Sequence, residues 1–155
     1  MPTHFAGAGD ERRALDAYIK LMRSTVAVNS RLFPALLAEH GITSTQLGVL
    51  EALWHLGPMR HCALAAKLLL SASNLTTVID NLVRDGLVRR DADPTDRRAS
   101  ITSLTPEGAA RVAEFFPGHV RRLTAAMSGL EPAEQEELGR LCRKLGLAAA
   151  GAAVA

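Results

Sequence analysis

Residues 64–104, LAAKLLLSASNLTTVIDNLVRDGLVRRDADPTDRRASITSL, leave this chain the fewest ways to fold. Two short helical patterns meet at a tight turn, and a basic strand, a charged loop and a second strand follow. Ser71 is placed to cap the second helix, because its hydroxyl can accept from the open backbone N–H groups of the next turn. Beyond it, Leu75, Val78, Ile79 and Leu82 recur at helical spacing and mark one buried face. The opposite face carries Ser73, Thr76, Thr77 and Asp80, flanked by Asn74 and Asn81. Gly86 supplies the helix stop.

An outer face of short hydrogen-bonding side chains suits insertion into a groove. The major groove of B-DNA accepts one helix, and its base edges offer donors, acceptors and the thymine methyl. Ser71, Ser73, Asn74, Thr76 and Thr77 are therefore the candidate DNA-reading residues. Downstream, Leu87–Arg90 and Ser100–Leu104 read as short strands, joined by the turn-rich tip Asp93-Pro94-Thr95-Asp96-Arg97-Arg98. A hairpin tipped with arginines is shaped to reach a neighbouring minor groove, whose negative potential attracts guanidinium groups. Arg89 and Arg90 read as phosphate contacts or strand-edge charges. Asp80 faces the same way but is acidic, so it is expected to pair with an arginine.

At these residues the sequence resembles the MarR (multiple antibiotic resistance) family of transcriptional regulators. The resemblance rests on LLLSASNLTTVIDNLVRDGLVRR, the DPTDRR tip, the LTPEG that follows and the upstream GITSTQLGVLEAL, and it covers about residues 15–147. It implies a mainly α fold with a small β-wing, in which a winged helix-turn-helix (43–104) is flanked by dimerisation helices (10–40 and 105–147). It also implies that Arg97 enters the minor groove and that Asp96 orients the wing arginines, with Arg98 as the alternative to Arg97. Relatives of this kind usually repress, and they leave DNA when a small phenolic or anionic aromatic molecule binds between the dimer helices and the reader. Met22, Phe33, Leu37, His40, Leu50, Trp54 and Phe116 are the candidate lining of that crevice. The segments Ala14–Met22, Phe116–His119 and Ser128–Leu130 look closest to the subgroup that answers hydroquinones and similar aromatics.

The rest of the chain fits one domain. Residues 1–9 are Gly/Ala-rich and aperiodic, and read as a loose arm. From Asp10 to His40 a helix is expected, with Leu15, Tyr18, Ile19, Met22, Val26 and Phe33 on one side and a kink at Pro34. Thr43-Ser44-Thr45-Gln46 has the form of a capping box and opens a helix with Leu47, Leu50, Leu53 and Trp54 inward. Arg60–Leu69 reads as a third helix without a good N-cap. Thr105-Pro106-Glu107 starts a fifth, with Val112, Phe116 and Val120 inward and a kink at Pro117. Pro132 begins a sixth, less well capped at Glu131, and Ala148–Ala155 reads as a frayed tail. These terminal helices carry more apolar surface than the reader needs, which points to a two-fold homodimer. Two linked readers about one DNA turn apart, roughly 34 Å, would address a pseudo-palindromic site on double-stranded DNA.

Net charge is only +2, but Arg84, Arg89, Arg90, Arg97 and Arg98 fall within a span of fifteen residues, inside the reader. No apolar run reaches the length of a membrane span, and no signal peptide stands at the N-terminus, so a cytoplasmic protein is expected. Two cysteines, Cys62 and Cys142, make no disulfide framework and are expected as free buried thiols. His40, His55, His61 and His119 fall at no metal-ligand spacing, and neither metal nor cofactor is expected. There is no phosphate loop, nucleophile elbow or HExxH, so the chain does not read as an enzyme. Two other readings stand beside the repressor. One is a thiol switch at Cys62, next to His61 and Arg60; the other is a winged helix turned to protein–protein binding.

Overall fold

The structure is a computed structural model and describes residues 4–152. Its elements run α1 (Gly9–His40), α2 (Ser44–Leu56), β1 (Met59–Arg60), α3 (His61–Leu68), α4 (Ala72–Arg84), β2 (Val88–Ala92), β3 (Ser100–Leu104), α5 (Pro106–Met127) and α6 (Pro132–Ala152). By internal packing the chain divides into residues 29–120 and a second unit made of 1–28 with 121–155. Helices α1 and α5 each contribute to both.

Residues 29–120 hold the core. Leu36, Leu47, Val49, Leu50, Leu53, Leu64, Leu75, Ile79, Leu82, Val112 and Phe115 are buried together. The capping box of α2 forms as expected: Thr43 Oγ1 accepts from the Gln46 N–H, and Gln46 Oε1 accepts from the Thr43 N–H. The inner face of α2 differs from the expectation. Val49 and Ala52 join Leu47, Leu50 and Leu53, whereas Trp54 stays 39% exposed. In α5 the buried stripe is Gly108, Val112, Phe115 and His119, so Phe115 rather than Phe116 fills the core. That i, i+4, i+7, i+11 spacing is as regular as the expected one, so periodicity does not choose between adjacent phenylalanines. Both α1 and α5 are unbroken helices through Pro34 and Pro117.

The sheet has three antiparallel strands in the order β1-β3-β2, one more than expected. Arg60, read from sequence as the start of a helix, instead belongs with Met59 to a short strand that pairs with Thr102 and Ile101. β2 and β3 pair in register from Val88↔Leu104 to Ala92↔Ser100. The LTPEG segment joins this hairpin to α5. Thr105 Oγ1 donates to the Gly86 carbonyl at 2.6 Å and accepts from the Gly108 N–H at 3.0 Å, capping α5. A Cβ on Gly108 would lie 1.9 Å from the Leu87 carbonyl oxygen, so only glycine allows this approach.

In the second unit, α6 exposes every described side chain it has. At its start Glu134 accepts from the Glu131 N–H at 2.8 Å. The helix continues to Ala152, beyond the point where fraying is expected. Alanine has the highest helix propensity, and an Ala-rich stretch needs no amphipathic face to extend a helix already nucleated. Residues 153–155 of that expected tail, and residues 1–3 of the expected arm, lie outside the described residues. Both cysteines are exposed rather than buried. Cys142 sits on α6, whose faces are open, and Cys62 in the first turn of α3. Among the described residues no single helix is long and apolar enough to cross a membrane.

Candidate nucleic-acid interface

Helices α3 and α4 are bent by 107° across residues 69–71, the geometry of a helix-turn-helix. Leu69 makes the turn in the left-handed conformation at φ 55, and its side chain is 88% exposed. Ser71 caps α4, its Oγ accepting from the Asn74 N–H at 3.2 Å and lying 3.2 Å from Ser73 Oγ. Leu75, Ile79 and Leu82 are fully buried, which orients the helix. Ser73, Asn74, Thr76, Thr77 and Asp80 are all exposed on its outer side. The first turn of α4 holds no acidic side chain, so the positive end of the helix dipole is not offset there.

The hydroxyls on that face are already ordered. Thr76 Oγ1 donates to the Ala72 carbonyl at 2.8 Å and Thr77 Oγ1 to the Ser73 carbonyl at 3.3 Å. From α3, His61 Nε2 lies 3.1 Å from the Ala72 carbonyl and 3.3 Å from Thr76 Oγ1. A carbonyl only accepts, so Nε2 carries the proton. His61 thereby fixes the first turn of the reading helix, a role its place in the sequence does not signal.

The wing arginines sort into two kinds. Arg90 is ion-paired with Asp80 across from strand to reading helix, as expected for Asp80. Arg89 donates to Ser103 Oγ at 3.2 Å and pairs with Asp91 at 3.1 Å, so it lies along the strand edge. At the tip the acids are engaged elsewhere. Asp93 takes Arg60, and Asp96 Oδ1 accepts from the backbone N–H of Arg98 at 3.0 Å. Asp96 therefore orders the tip through backbone rather than by gripping a guanidinium. Among the described residues no ion pair engages Arg97 or Arg98, and both stand exposed with their charge unoffset.

A cleft of about 350 Å³ lies between α3, α4 and the wing, lined by Arg60, His61, Cys62, Thr76, Arg90, Arg98, Ala99 and Ser100. The expected effector-lining residues do not share one setting. Leu50 is fully buried in the core, Leu37 is half-exposed, and Met22 belongs to the other unit. Within residues 29–120, Trp54 meets Phe116 edge-on at 5.1 Å and His40 meets Phe115 at 5.8 Å, while Phe33 and Phe116 pack against the core. Among the described residues no group of three or more His, Cys, Asp or Glu side chains is placed to hold a metal ion.

Known proteins share this arrangement. The sequence model of the MarR family matches residues 42–100, the span of the reader. The helix-turn-helix-type transcriptional regulator YkoM of Bacillus subtilis is 39% identical over 109 residues, which are 70% of this chain and 71% of YkoM. Among solved structures, the MarR family transcriptional regulator Sco3205 of Streptomyces coelicolor, in complex with DNA, superposes with a TM-score of 0.79 at 26% identity. That match covers 90% of this chain and 91% of Sco3205. BpsR of Bordetella bronchiseptica, whose DNA binding is regulated by 6-hydroxynicotinic acid, superposes at 0.73 with 28% identity, over 84% of this chain and 98% of BpsR. A polar reading helix beside an arginine-tipped wing is what such proteins would be expected to share, and this chain belongs to the MarR family of DNA-binding, winged helix-turn-helix transcriptional regulators.

Proposed function

We propose that the protein is a homodimeric repressor that holds a pseudo-palindromic operator and releases it when a small aromatic effector binds. The observation that carries the DNA-reading half is the contrast at the wing. Arg89, Arg90, Asp91 and Asp93 are paired within the protein, and among the described residues Arg97 and Arg98 are in no ion pair. Ser73, Asn74, Thr76 and Thr77 read base edges, Ser71 holds the helix in shape for them, and Arg97 enters the minor groove with Arg98 beside it. The dimer is supported by open apolar side chains within the second unit, where Tyr18, Met22, Val26, Leu138, Leu141, Leu145 and Leu147 are each at least 37% exposed. Side chains this large stay in water only at a cost, and a second copy removes it.

The effector reading is supported by BpsR, whose DNA binding a hydroxylated aromatic acid regulates. An effector acts by favouring the spacing of the two reading helices that does not fit the duplex. Cys62 supports a second trigger, since the exposed thiol lines the cleft between reading helix and wing. An adduct there would stand against the DNA-facing surface. Release by an electrophile that persists in Cys62→Ser removes this option.

The test is binding of the purified protein to the DNA upstream of its own gene across a salt series. The expected result is one protected site whose log K falls steeply with log salt, because several phosphates are neutralised. Arg97→Ala is expected to weaken binding by roughly 1–3 kcal/mol, about five- to 150-fold. Ser73→Ala and Thr77→Ala should alter sequence preference more than overall affinity. Full binding by Arg97→Ala refutes the wing assignment.

A further inference from the structure

Arg60 stands far upstream of the wing in sequence, and no motif links the two, yet its side chain ends at Asp93. Arg60 closes β1 and occupies the N-cap position of α3, where it makes no side-chain cap. Its guanidinium goes instead to the root of the wing. Nε lies 2.5 Å from Asp93 Oδ2, and Nη2 donates to Thr95 Oγ1 at 2.9 Å. Asp93 is 4% exposed, and its Oδ1 accepts from both the N–H and the hydroxyl of Thr95 at 2.8 Å. The tip is then closed by Asp93 N–H to the Ala99 carbonyl and Ala99 N–H to the Asp96 carbonyl, each at 3.0 Å.

Three side chains thus form a closed network at the base of the loop that carries Arg97 and Arg98. Arginine suits the position because its planar fork meets a carboxylate and a hydroxyl together, whereas lysine presents a point charge. The Asp93 carboxylate is buried while the Arg60 side chain is about half-exposed, so removing the guanidinium leaves a buried charge without its counter-ion. The Arg60 charge is offset by Asp93, so it adds little to the attraction for phosphate. Its influence on DNA reading runs through the wing.

We infer that Arg60 is a positioning residue for DNA reading, which sets where the wing arginines stand relative to the reading helix by clamping Asp93 and Thr95. The inference rests on the DNA-reading function proposed above. It assigns a task to a residue outside both the reading helix and the wing tip.

The test uses the full chain and a duplex that the wild-type protein selects from a randomised pool. Arg60→Met is expected to weaken binding roughly tenfold, within the range for coupled contacts, while the salt slope stays unchanged. In an Arg97→Ala background the same change is expected to cost less than about twofold, because the group it positions is gone. Arg60→Lys keeps the ion pair and should recover part of the affinity. Amide exchange in the free protein should show faster exchange at Thr95 and Arg98 in Arg60→Met. A salt slope reduced by about 0.9, with costs that add to those of Arg97→Ala, identifies a phosphate ligand and overturns the inference. Unchanged affinity overturns it too. Should Arg60→Met fail to fold, Thr95→Val removes the bridging hydroxyl and is expected to shift affinity and exchange the same way; no shift in either overturns the clamp. If the wild-type chain selects no duplex, the DNA-reading function falls, and the exchange measurement still judges the clamp separately.

Discussion

The reader and the terminal helices treat their side chains in opposite ways. Within residues 29–120 most of the large apolar groups gather in one buried core, with Leu37, Leu56 and Leu69 among the exceptions, and several charges are paired inside the chain. In the other unit the leucines themselves face out, along all of α6. The first unit is therefore finished as a fold and unfinished as a surface for a polyanion. The second is unfinished as a fold, and the homodimer proposed above would complete it.

Changing Leu138, Leu141 and Leu145 to serine together challenges that contrast most severely. Sedimentation is expected to show a monomer, and affinity for a two-half-site duplex should fall by about 10²–10⁴ as linked binding is lost. The reader's own melting should hardly move. If the variant stays a dimer with full affinity, α6 is not the joining surface.

Next in size is the reader's core. Phe115→Ala is expected to destabilise by about 3–5 kcal/mol in urea melts, and Phe116→Ala, being only partly buried, by distinctly less. Equal costs would mean that the stripe on α5 is misassigned. Smaller again is Ser71→Ala, which removes the cap of α4 and should cost about 1 kcal/mol of stability.

The smallest effect expected is with pH. Hydrogen bonds from the Thr95 N–H and then its hydroxyl hold the Asp93 carboxyl below its ordinary value of 3.8, against the opposing pull of burial and with help from Arg60. A carboxyl depressed on folding stabilises the fold above its unfolded pKa, and that share is lost as pH falls through the lowered value. Stability of the wild-type chain should therefore drop as pH is lowered beyond about 3.8, and Asp93→Asn should flatten part of the drop. An unaltered profile in Asp93→Asn would show that the buried carboxylate is not coupled to the fold.

The reading helix and the wing are legible in the sequence because their signals are local: a serine cap, a 3.6-residue apolar repeat and a turn-rich arginine tip. Met59–Arg60 is not, since two residues form a strand only because β3 offers them an edge. The Arg60–Asp93 pair is hidden for the same reason, as no periodicity links positions so far apart. For Asp96 the sequence indicates a place at the wing tip, and the structure adds the atom it holds, the backbone N–H of Arg98 two residues on. On α5, two adjacent phenylalanines leave the facing side open until packing chooses Phe115.

The close approach at Gly108 fixes where α5 starts. Its first turn is bolted to the Gly86 and Leu87 carbonyls, where β2 begins. A 22-residue helix is a stiff rod of about 33 Å. A side chain at position 108 would therefore push the start of that rod away from Leu87, the residue just before the strand that carries the wing.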